Sequence, residues 1–94
     1  MTANKEPYHV EFSVSAEKQF AKLDKTAKEY VYKYLNERIE GKADPREYGG
    51  PLHGALMGSW KYTIGSYRAI CNINDADHIV KVIKVAARGK AYKK

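Results

Sequence analysis

Lysine, arginine and tyrosine crowd the chain between Gly58 and Tyr92; no metal-ligand set is among them, and the two carboxylates of the stretch, Asp75 and Asp77, belong to a turn. These side chains suit a phosphodiester better than most other substrates. Arginine stays protonated, with a pKa above about 12, and so clamps phosphate rather than taking protons. Lysine or tyrosine becomes a base only when neighbouring cations depress its pKa from an unperturbed value near ~10. The block reads Gly58-Ser-Trp-Lys-Tyr-Thr-Ile-Gly-Ser-Tyr-Arg68, then a second strand-like run, then Arg88-Gly-Lys-Ala-Tyr92.

The elements that must position this block follow from hydrophobic period. Tyr8–Val14 alternates apolar and polar residues, the signature of a half-buried strand. Ser15 then caps a short helix carrying Phe20 and Leu23, with Glu17 in the first turn. Asp24 caps a second helix over Lys25–Ile39, whose Ala27, Tyr30, Val31, Tyr34 and Leu35 form one apolar face. Tyr30 and Tyr34 are expected in the core and Tyr32 away from it. Gly41 stops this helix, and the two helices form an antiparallel hairpin. Residues 44–57, rich in Pro and Gly, read as an irregular connection.

Three strands follow: Ser59–Ile64, Tyr67–Ile73 and His78–Ala86, joined by a Gly65-Ser66 turn and an Asn74–Asp77 turn. The order predicts an α+β domain, in which a strand and a helix hairpin precede a three-stranded antiparallel meander, with the helices on one sheet face. The chain reads as one domain over 1–94, with a flexible leader over 1–7 and a basic tail over 88–94.

Ninety-four residues bury only about 60–65% of their unfolded surface, so the core is thin. Seventeen Lys+Arg against eleven Asp+Glu leave a net charge of +6, which favours polyanions such as RNA, DNA or an acidic protein. The single cysteine, Cys71, excludes an internal disulfide and a multi-cysteine zinc site. The amino-terminal residues lack a signal peptide's apolar stretch and no window reaches the length of a spanning helix, so a cytoplasmic location is expected. His9, His53 and His78 share no metal spacing and read as solvated; no metal or cofactor is expected.

Period-2 alternation in the meander places Trp60, Tyr62 and Ile64 toward the helices and Lys61 and Thr63 away from them. Arg68 falls on that same open face, as does Lys84 when counted back from Arg88. Lys90 and Tyr92 arrive from the tail. Cations on an open sheet face are ordinarily just solvated. Their convergence on one face, with an aromatic nearby, instead describes a cradle for phosphate and base. The alternation puts Lys81 on the core side, where its ammonium must snorkel to water.

The string Trp60-Lys-Tyr-Thr-Ile-Gly-Ser-Tyr-Arg-Ala-Ile-Cys-Asn-Ile73, followed by Val82-Ile-Lys-Val-Ala-Ala-Arg-Gly-Lys-Ala-Tyr92, resembles the RelE/ParE superfamily of bacterial toxins. Its members carry a W-[KR]-x-R-x-G-x-Y-R hairpin and a basic tail ending in tyrosine. Asp44-Pro-Arg46 and Pro51-Leu52 also look like that family's helix-to-strand connection. The resemblance, closest to the RelE branch, implies a metal-independent endoribonuclease that cuts messenger RNA on the ribosome and so inhibits translation. The cut proceeds by 2′-hydroxyl attack on the adjacent phosphate.

By position, Lys61, Arg68, Arg88 and Tyr92 match the catalytic residues of RelE-like toxins, and Lys84, Lys90 and Thr63 flank them as RNA contacts. Thr63 stands where relatives often have a second basic residue, and Ala87 where many have histidine. The implied partners are a RelB-like antitoxin, in a heterotetrameric or larger complex, and the ribosome with its message. Two other readings stay open: a ParE-like, non-enzymatic inhibitor of DNA gyrase, and a catalytically weak member that only binds its antitoxin.

Overall fold

The computed structural model describes residues 6–54 and 58–87. The elements in chain order are β1 (His9–Phe12), α1 (Val14–Ala21), α2 (Lys25–Arg38), β2 (Gly50–Pro51), β3 (Trp60–Ile64), β4 (Tyr67–Asn74) and β5 (Ile79–Ala87). They form a five-stranded sheet in the order β1-β5-β4-β3-β2, as an α+β architecture. The meander β3-β4-β5 is antiparallel, whereas β1 lies parallel to β5, with Val10 opposite Val80 and Phe12 opposite Val82. Ala16 of α1 and Val31, Leu35 and Ile39 on or just after α2 pack on the sheet's inner face, against Tyr62, Ile64, Ala69, Cys71, Val80, Val82 and Val85.

Local chemistry sets where the first elements end. The α1 cap is Ser13 rather than Ser15: its hydroxyl accepts the Ala16 amide at 3.0 Å while its own N–H still donates to Val82 of β5. The strand therefore stops at Phe12, and Val14, expected on the buried side of a longer strand, starts the helix at 70% exposure. Asp24 caps α2 as expected, accepting from the Ala27 amide at 2.8 Å. Beyond the end of β1, the outward amide of Val85 has no strand to meet. Gln19 of α1 fills the gap, its Oε1 accepting that amide at 2.7 Å.

The connection expected to be irregular contains a strand. Gly50 and Pro51 pair with Lys61 and Trp60, adding β2 to the sheet edge. Hydrogen bonds pin the loop before it: Tyr62 Oη donates to the Pro45 carbonyl, and Trp60 Nε1 donates to that of Tyr48 at 2.8 Å. Arg46 forks onto Asp75 in the β4–β5 turn with two 3.0 Å bonds, and Tyr8 Oη donates to the same carboxylate at 2.6 Å. Gly49 has φ +80°, and a Cβ there would lie 2.1 Å from the Lys61 carbonyl oxygen, so only glycine lets the loop lie this close to β3.

Candidate nucleic-acid interface

The rungs of the meander decide which side chains share a face. Thr63 lies opposite Arg68, which lies opposite Ala86; on the next rung Lys61 lies opposite Ile70, which lies opposite Lys84. Tyr62, Ala69 and Val85 between them are buried against the helices. Lys61, Thr63, Arg68 and Lys84 therefore all project from the outer face. Lys61 and Lys84 stand two strands apart, roughly 10 Å between backbones, with Arg68 one step along between them.

This face is not uniformly open. Ile70, between Lys61 and Lys84, is only 1% exposed, and Arg68 and Lys84 are half-buried. Ile70 lies outside the inner core cluster, so the outer face has an apolar floor of its own beneath the cations. A partly dry setting strengthens charge–charge interaction with an anion.

Lys81 is on this face too, contrary to simple alternation. The ladder pairs Ile70 with Lys84 but Cys71 with Val82, leaving Ile83 unpaired as a β-bulge. The extra residue shifts the phase, so Lys81, Lys84 and Ala86 point outward while Val80, Val82 and Val85 point in. The sequence carried a signal for this: two lysines three apart cannot both face water in a regular strand. Farther along, Glu11 lies opposite Lys81, and Asp77 joins the same shallow groove, so this end of the face is acidic as well as basic. The stretch that holds cations without acids narrows to the end where β3 and β4 turn.

Arg88, Lys90 and Tyr92 lie outside the described residues. The last described residue, Ala87, pairs with Tyr67, one position from the Arg68 rung and so at the cationic end of the sheet.

Other ionisable groups are built for structure. Burial pushes the Cys71 thiol up to about 12, so it is no nucleophile. Burial likewise raises the Tyr62 and Tyr34 phenols, removing both as bases near neutral pH. His9 and His78 are more than solvated: His9 Nδ1 meets Glu40 at 2.6 Å, and His78 stacks on Tyr8 with centroids 4.6 Å apart. Among the described residues no three His, Cys, Asp or Glu side chains group as a metal site. Nor is any helix among them long and apolar enough to cross a membrane.

Comparison with known proteins gives this arrangement a family. Residues 10–92 match the family model described as the ParE toxin of the type II toxin–antitoxin system parDE. The chain is 30% identical over 88 residues to toxin RelE of Mycobacterium tuberculosis, covering 93% of this chain and 88% of that one. In structure it is similar to a chain of the M. tuberculosis toxin–antitoxin complex RelBE2, with a TM-score of 0.80, 25% identity, and coverage of 93% of this chain and 98% of that chain. It is also similar to the isolated Escherichia coli RelE toxin, with a TM-score of 0.71, 26% identity, and coverage of 90% and 88%. This chain belongs to the RelE/ParE superfamily of type II toxin–antitoxin toxins.

Proposed function

We propose that this toxin is a ribosome-dependent messenger-RNA endoribonuclease. One observation carries the reading: Lys61, Arg68 and Lys84 share one end of one sheet face, and no acid stands on their rungs. Binding a protein target requires no such phosphate clamp. The tail residues Arg88, Lys90 and Tyr92 complete the proposed site.

In-line transesterification needs a base for the 2′-hydroxyl, countercharge for the dianionic transition state and an acid for the leaving oxygen. The 2′-oxygen forms a bond to phosphorus as the bond from phosphorus to the 5′-oxygen breaks, leaving a 2′,3′-cyclic phosphate and a free 5′-hydroxyl. Arg68 and Arg88 act as clamps on the non-bridging oxygens, being too basic to take a proton. Lys61 or Tyr92 takes the 2′-hydroxyl proton, and Lys84 or Lys90 returns one to the leaving oxygen. Thr63 places a hydroxyl, not a second cation, beside Arg68. Less countercharge at this rung means a slower enzyme, more dependent on the ribosome to align its substrate.

An antitoxin follows from the same reading. Relatives are seen as the RelBE2 and E. coli RelBE toxin–antitoxin complexes. A RelB-like partner that lays acidic side chains over the Lys61–Arg68–Lys84 face would shut out RNA. Ribosome and message place the activity in the cytoplasm.

The ParE description of the matched family model favours a second reading, non-enzymatic inhibition of DNA gyrase. Induced expression separates the two. If RNA cleavage is the mechanism, Arg88→Ala and Tyr92→Phe each relieve growth arrest and plasmid supercoiling stays normal throughout. Unchanged toxicity in both variants, with relaxed plasmids, would establish the gyrase reading instead.

A further inference from the structure

A second groove opens on the other side of the β3 edge. It measures about 410 Å³, within the range of ligand sites, and runs between α2 and the free end of β3. Tyr30, Lys33, Tyr34, Glu37 and Arg38 line one wall and Thr63 the other.

Its parts are held in place. The two-residue turn makes Ile64 and Tyr67 a hydrogen-bonded pair, so Thr63 turns its backbone N–H and C=O away from β4. The edge strand β2 reaches only Trp60 and Lys61, so these groups have no strand partner among the described residues. The Arg38 guanidinium lies 4.9 Å from the Tyr34 ring centroid and 5.3 Å from that of Tyr48. Both rings are within cation–π reach of the guanidinium and hold its positive charge at the groove wall. Tyr30 was expected in the core but is 55% exposed. Its ring rests on Gly65, where a Cβ would sit 2.4 Å from ring carbon Cε2. A large aromatic ring seated on the backbone and open to water on its far side is a stacking platform.

We propose that this groove is a second subsite for single-stranded RNA, taking the nucleotides that continue over the β3 edge from the Lys61–Arg68 face. Tyr30 stacks on a base, Lys33 and Arg38 neutralise phosphates, and the Thr63 backbone reads a base edge. Thr63 joins the two surfaces, its side chain on the Arg68 rung and its backbone on the groove wall. The inference rests on the RNA-cleaving reading. An acidic protein segment is the rival occupant, but a ring platform and a mostly polar lining fit bases and phosphates better than peptide side chains.

The test is fluorescence anisotropy with uncleavable 2′-O-methyl oligonucleotides, a trinucleotide and one about nine nucleotides long. Wild type binds the longer strand more tightly. Lys33→Ala with Arg38→Ala, and separately Tyr30→Leu, each abolish roughly tenfold of that gain and leave trinucleotide binding intact. Tyr30→Phe keeps the gain, and Arg68→Ala weakens both lengths. Groove variants that retain the full gain, or a wild type with none, overturn the subsite while the Arg68 effect upholds the nuclease reading. Indifference of both lengths to Arg68→Ala overturns that reading and the subsite together. Groove variants that lose binding of a polyglutamate peptide but not of the long RNA overturn the subsite in favour of a protein partner.

Discussion

Single residues divide between those that hold the fold and the cations of the proposed site. Gln19 holds: its amide oxygen serves a part-buried backbone donor that β1 ends too early to reach. Gln19→Leu leaves the Val85 N–H without an acceptor and destabilises the protein by about 1–3 kcal/mol, read as a lower denaturation midpoint. Asp75 holds the loop through Arg46 and Tyr8, and the Arg46 guanidinium keeps its carboxyl at about 2. A carboxyl depressed below its unfolded value of about 3.9 adds stability above that pH and loses it as pH falls toward 2. The side chain is 58% exposed, so solvent screening keeps the effect modest. Melting temperature falls over this window in the wild type, and Asp75→Asn flattens the fall; equal slopes would contradict the linkage. Lys61, Thr63 and Arg68 were the legible part of the candidate site, because their shared face follows from alternation alone, as that of Lys81 does not. The seating of Tyr30 on Gly65 was illegible, since a helical stripe says which residues align but not how far the sheet extends beneath them.

At the scale of elements, the sequence specified the helices and the hairpin strands well and their joints poorly. Asp24 was readable as a cap because an amphipathic run begins directly after it. Ser13 and Ser15 are both good caps, and only the Ser13 amide bonded to Val82 selects the first. Strand β2 is two residues long, too short for any period, and exists because Gly49 lets the loop lie against Lys61. The bulge at Ile83 does most to change the candidate site. It moves Lys81 from the expected inner face to the outer one without disturbing Lys84, so four outer-face cations come from three strands.

For the whole molecule, element order gave the α+β class, but nothing local announced that β1 pairs parallel with β5 and closes the far edge of the sheet. That pairing also brings Glu11 beside Lys81, so charge is graded along the outer face and positive mainly at the β3–β4 turn. Binding of single-stranded RNA should therefore weaken with salt. Each neutralised phosphate contributes about −0.7 to the slope of log affinity against log salt, so Lys61, Arg68 and Lys84 alone give a slope of at least about −2 in magnitude. A slope near zero would mean that these cations do not meet phosphate.

We have proposed that this face cuts RNA. Sequencing of RNA 5′ ends after induction, in wild type and in Arg68→Ala, tests it most directly. Wild type is expected to give new 5′-hydroxyl ends inside translated codons, reduced on the order of 100- to 1,000-fold in the variant as a transition-state contact is lost. Intact messages during full growth arrest, or the same cuts at the same rate without Arg68, would contradict it.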